Sequence, residues 1–123
     1  GKAPPVPAIC SVPDHVTGLT LQTAGYETRM VINGFEYPLM ADQAEKMFVT
    51  GGLKNGDNEV ILTVRPTDIP EGEERLLQLD LFVPSGPGKP ATRVFHFQRK
   101  NEELTGTLKL PVRITPQVLK DGV

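Results

Sequence analysis

A chain of 123 residues has the length of one domain and can bury roughly two-thirds of its unfolded surface without a disulfide or metal staple. Twelve Gly, twelve Pro and no Trp, with Val, Leu, Ile and Thr gathered into short runs, point to β structure. The formal net charge of -2 with interspersed signs gives no basic face for a phosphate backbone, and no apolar stretch reaches the roughly 20 residues of a membrane span, so nucleic acid and membrane insertion drop out.

Residues 1–15 are Pro-rich and read as an extended arm or linker. Within them lies the single cysteine, Cys10, which has no partner for an internal disulfide and lacks the small preceding residue of a lipid-modified cysteine. The Gly1-Lys2 start fits either the remnant of a cleaved tag or a segment that follows a removed signal. The Pro-rich opening, which resembles the linker after a signal or anchor, favours an exported, periplasmic or extracellular bacterial protein over a cytoplasmic one.

From residue 16 to 116, runs with period two mark half-buried strands. Leu19 and Leu21 share a face, as do Met30 and Ile32. Phe35, Tyr37 and Leu39 share another, with core packing favoured for Phe35 and Tyr37 over a ligand surface shared with Tyr26. The stretch 41–46 has room for a single helical turn before Met47 and Val49. The second half is cleaner: Val60, Leu62 and Val64; Leu77, Leu79, Leu81 and Val83; Phe95 and Phe97; then Leu108, Leu110, Val112 and Ile114. Pro111 has no N–H for a ladder, so the last strand belongs at an edge or carries a bulge. Turns fall at Asn55-Gly56, 66–74, 84–90 and 99–103, and residues 117–123 read as a tail. The pattern predicts an all-β fold: a two-sheet antiparallel sandwich of seven to eight strands, immunoglobulin-like or jelly-roll.

Val31-Ile32-Asn33-Gly34, followed by Leu53-Lys54-Asn55-Gly56-Asp57-Asn58-Glu59 and the apolar run Val60–Val64, resembles the galactose-binding-like jelly rolls found beside glycoside hydrolases. The likeness covers roughly residues 31–64. It implies a jelly-roll fold and structural turn residues, and it adds carbohydrate binding to the candidate functions.

The sequence holds few candidates for chemistry. His15, Asp80 and His96 would make a small metal or acid–base site if they converged, although no short ligand spacing links them. A Cys10–His15 dyad lacks a rigid scaffold, and neither Ser11 nor Ser85 has a context that activates a hydroxyl. The acidic loop from Asp68 to Glu74 reads as a solvated turn rather than a calcium loop. Ser85-Gly86-Pro87-Gly88-Lys89 has no following helix to complete a phosphate cradle. Ile61, Phe82 and Val94 fall on the nominally outer faces of their strands and mark either, with His96, a candidate interaction surface or a strand buried on both faces or covered by the Pro-rich arm. The expectation is a non-catalytic binding or protein-interaction module with no cofactor and a protein or polysaccharide partner. The alternatives are a carbohydrate-binding accessory domain and a small metal or enzymatic domain on His15, Asp80 and His96.

Overall fold

The computed structural model describes residues 14–123. Cys10, Ser11, most of the Pro-rich arm and the Cys10–His15 pairing lie outside the described residues. Among these, the chain forms β1 Gly18–Ala24, β2 Tyr26–Ile32, β3 Phe35–Glu36, β4 Met40–Ala41, β5 Ala44–Phe48, β6 Gly56–Pro66, β7 Leu76–Val83, β8 Thr92–Lys100, β9 Gly106–Ile114 and α1 Pro116–Asp121. One sheet has the order β5-β1-β7-β8; the other has β3-β2-β6-β9, with β4 also on β2. Every ladder is antiparallel. The fold is the expected all-β sandwich.

The winding is that of two bent ribbons. In the first, β1 and β2 run out and β3, β4 and β5 run back, with β2 paired to β3 and β4 and β1 paired to β5. Its hairpin turn is Asn33-Gly34, with φ of 49 and 85, the positive pair that a two-residue turn matched to strand twist requires. In the second, β6 and β7 run out and β8 and β9 run back, pairing β7 with β8 and β6 with β9. The β1–β7 and β2–β6 ladders join the ribbons. This nested, double Greek-key winding is the jelly-roll alternative.

Both ribbons cross between sheets at one end, and hydrogen bonds lash the crossings together. Gly25 alone separates β1 from β2. Its N–H donates to Asp42 Oδ1 at 2.7 Å, and its carbonyl accepts from Thr67 N at 2.9 Å and from the Arg75 guanidinium. Glycine is obligatory there: φ is +80, and a Cβ would meet Arg75 Cγ at 2.8 Å and Ile69 Cγ2 at 2.9 Å. Tyr26, fully buried, donates its hydroxyl to the Glu102 carbonyl, and the Arg75 guanidinium lies 5.8 Å from its ring centroid.

The core sits between the sheets where the stripes place it. Leu19, Leu21, Leu77, Leu79 and Leu81 from one sheet face Met30, Ile32, Val60, Leu62, Val64, Leu110, Val112 and Ile114 from the other, all buried. Each such side chain contributes about 1.5–3 kcal/mol of burial free energy. Strand β9 ends its sheet, so Pro111, exposed opposite Glu59, occupies the edge position its missing N–H demands.

Four local expectations change. Residues 41–46 are extended, not helical: Asp42 has φ 51 and turns the corner, and β5 then pairs with β1 along its length. Phe35, Tyr37 and Leu39 do not form one core stripe. Pro38 interrupts the strand, leaving Phe35 and Leu39 exposed, while the half-buried Tyr37 hydroxyl accepts from Thr50 N at 2.6 Å. The same interruption divides one edge strand into β3 and β4, so the count is nine rather than seven to eight. The tail holds α1, with the Thr115 hydroxyl capping Val118 N at 3.1 Å and Pro116 opening the first turn. After it, Val123 N donates to the Arg93 carbonyl at 2.9 Å, covering the start of the β8 edge.

Candidate ligand-binding face

Residues paired directly across antiparallel strands share a face. Three rows therefore cross the outside of the four-stranded sheet: Phe48, Gly18, Phe82 and Arg93; then Lys46, Thr20, Asp80 and His96; then Ala44, Gln22, Gln78 and Gln98.

The first row holds a slot. Phe48 is 74% exposed and Phe82 is half-buried, and Gly18 lies between them. Their Cα atoms stand two strand spacings apart, about 9.5 Å. A ring held between two others needs about 7–8 Å, which is two carbon–carbon contacts. The depression over Gly18 measures about 430 Å³ and is lined by Gly18, Thr20, Lys46, Phe48 and Phe82 among others. Gly18 has no positive φ, and a Cβ built on it would meet only the Met47 carbonyl oxygen, at 4.0 Å. The backbone does not require glycine, and neither phenylalanine ring lies over it. What the glycine supplies is open space.

Below the slot runs a fixed polar network. Asp80 is 4% exposed although it lies on the outer face, because its neighbours fold over it. Gln98 Nε2 donates to Gln78 Oε1 at 2.9 Å, Gln78 Nε2 donates to Asp80 Oδ2 at 2.7 Å, and His96 Nδ1 hydrogen-bonds Asp80 Oδ1. Asp80 as a carboxylate only accepts, which makes His96 Nδ1 the donor of this bond. Arg93 Nη1 stands 3.9 Å from Asp80 Oδ1, and Arg93 Nε donates to the Val123 carbonyl at 2.7 Å. The amides and the imidazole are thus held in one orientation before any ligand arrives.

The structure brings Asp80 and His96 together and leaves His15 apart. His15 pairs by backbone with Leu53, and its Nε2 lies 2.8 Å from Asn55 Oδ1. Among the described residues no three His, Cys, Asp or Glu side chains converge as a metal site. Of the candidate interaction residues, Phe82 and His96 lie on this face. Ile61 is on the opposite sheet, between Val31 and Lys109. Val94 is 3% exposed, so it is no part of an open patch. It is the extra residue of a β-bulge, since Leu81 pairs with Phe95 while Phe82 pairs with Arg93. Val94 lies with Val118 and Val123 around a depression at the C-terminal helix. Sequence reasoning missed Phe48, Gly18, Lys46 and Arg93. The signal for Phe48 was present, since Met47 and Val49 turn inward and the residue between them must turn out.

The turn residues of the family resemblance meet in space. Asn58, 7% exposed, accepts from Lys54 N at 2.9 Å and Asn33 Nδ2 at 3.0 Å, and donates to the Lys54 carbonyl at 2.9 Å and the Gly56 carbonyl at 3.2 Å. Asn33 Oδ1 in turn accepts from Glu59 N at 2.9 Å. These side chains tie the two ribbons and touch no part of the face.

A second concavity, about 680 Å³, lies along the open side of the sandwich between β8 and β9, with Phe95, Phe97, Leu108 and Leu110 in its lining. No family model, curated protein or solved structure matches the chain.

Proposed function

We propose that this domain is a non-catalytic binding module that holds a carbohydrate on the outer face of its four-stranded sheet. The carrying observation is the open slot between Phe48 and Phe82 over Gly18, set beside polar groups already locked in place. Sugar rings have C–H faces that pack on aromatic rings and hydroxyls that both donate and accept. A shallow site with apolar walls and a few fixed polar groups suits them. Preorganised groups also reduce the ordering cost of binding.

Strand addition by a protein partner is the weaker reading. The β9 edge carries Pro111 and exposed Lys109, features that oppose edge pairing, and Val123 occupies the start of β8.

Affinity electrophoresis against a panel of soluble neutral and acidic polysaccharides tests the reading. Migration slows with at least one polymer, and Phe82→Ala restores free migration while keeping a cooperative thermal melt. Free migration of the unaltered protein through every polymer refutes it.

A further inference from the structure

The charge on the binding face runs opposite to that of the chain. The whole sequence carries -2, yet the charged groups that reach solvent in the three rows are the exposed Lys46 and the half-buried Arg93, with the His96 imidazole beside them. The one carboxylate in these rows is Asp80, and it is buried and enclosed by Gln78, His96 and Arg93. Lys46 lines the slot itself and makes no ion pair among the described residues. Arg93 stands one strand beyond Phe82 in the same row.

We infer that the ligand is an acidic polysaccharide, with a uronate ring seated between Phe48 and Phe82 and its carboxylate against Lys46. A neutral glycan would leave the Lys46 ammonium without a partner in the slot, whereas Arg93 already has Asp80 and the Val123 carbonyl beside it. A polyuronate bears a carboxylate on each residue, so one ring in the slot places the next residue's carboxylate toward Arg93. Gly18 then acts as the element that admits a ring, because any larger side chain fills the space the sugar needs. This inference rests on the carbohydrate reading above and adds to it the chemical class of the sugar.

The test compares polygalacturonate and alginate with the same polymers after reduction of their carboxyl groups to neutral alcohols, and with polyglutamate as a polyanion without sugar rings. The native polyuronate slows the protein. Carboxyl reduction weakens binding roughly ten- to a hundredfold, the range of a charge-assisted hydrogen bond. Lys46→Gln gives a similar loss on the native polymer and none on the reduced one. Gly18→Val abolishes binding while the domain still melts cooperatively. Equal binding of native and reduced polymers overturns the acidic assignment and leaves the carbohydrate reading standing. Polyglutamate binding as tight as that of the polyuronate, or full binding by Gly18→Val, shows simple ion exchange and overturns the inference. Free migration through every polysaccharide removes the carbohydrate reading, and this inference with it.

Discussion

Gly18→Val separates a glycine kept for the fold from one kept for a ligand. Glycine within a strand lowers stability, by roughly 0.5–1 kcal/mol relative to alanine, and a β-branched residue fits a pleated strand better still. At Gly18 nothing offsets that loss. Its φ is not positive, and an added Cβ would touch only the Met47 carbonyl oxygen at 4.0 Å, an ordinary contact. The two γ-methyls of valine would enter the gap between Phe48 and Phe82 and remove apolar surface from water on both rings. The expected gain is about 1 kcal/mol, which for a domain of this size raises the melting temperature by about 3–5 °C. Scanning calorimetry of the two proteins reads it directly. Gly25→Val is the internal contrast: with φ +80 and contacts under 3.0 Å, it should lose several kcal/mol or fail to fold. A fall of several degrees for Gly18→Val would show that the slot is a packing requirement, and the argument for a ligand there would fail.

Other measurements probe the supporting structure. A double-mutant cycle on Asp80→Asn and His96→Gln should give a coupling of about 1 kcal/mol, modest because the imidazole is partly exposed; coupling near zero would mean that the two side chains do not hold each other. Asn58→Ala leaves the Lys54 and Gly56 carbonyls, the Lys54 N–H and the Asn33 amide short of partners, and should cost about 2–3 kcal/mol in urea unfolding with binding unchanged; a loss under half a kcal/mol would refute its role as the tie. Burial pushes the Tyr26 hydroxyl above its ordinary range. The folded chain therefore keeps this proton where the unfolded chain loses it, so stability is intact below about pH 10 and falls above it. Melting temperatures measured across alkaline pH should fall less steeply for Tyr26→Phe, and parallel curves would contradict the assignment.

The sandwich was legible because its core strands are half-buried and alternate without a break. Leu77, Leu79 and Leu81 are fully buried, and Val60, Leu62 and Val64 match them from the facing sheet. What failed was governed by single residues that end an alternation. Pro38 releases Phe35 and Leu39 to solvent, and Asp42 turns a stretch with helical room into a corner. The C-terminal helix is the opposite case. Thr115, Pro116 and Gly122 mark its cap, first turn and end, but a six-residue element leaves no hydrophobic period to read.

The site shows why orientation is easier to read than adjacency. Alternation alone turns Phe82, Asp80, Phe48 and His96 outward. Their meeting depends on register between strands separated by a loop, and there one residue decides. Continued from Phe82 opposite Arg93, an unbroken ladder would set Asp80 opposite Phe95 and Leu79 opposite His96, driving the imidazole into the core and a phenylalanine out. The extra residue at Val94 shifts the count by one, so Phe95 and Phe97 return to the inner side and His96 comes to rest beside Asp80. The bulge therefore preserves the core stripe of β8 and builds the polar network of the binding face in the same step. Deleting Val94 should leave both in place, because Leu81 still meets Phe95 and Asp80 still meets His96 in what becomes an unbroken ladder. Electrophoresis should show binding kept, and one melt should show only the loss of a buried valine side chain, about 1.5–3 kcal/mol. Loss of binding by the deletion variant would show that the face depends on the bulge itself and not on the pairing of Asp80 with His96.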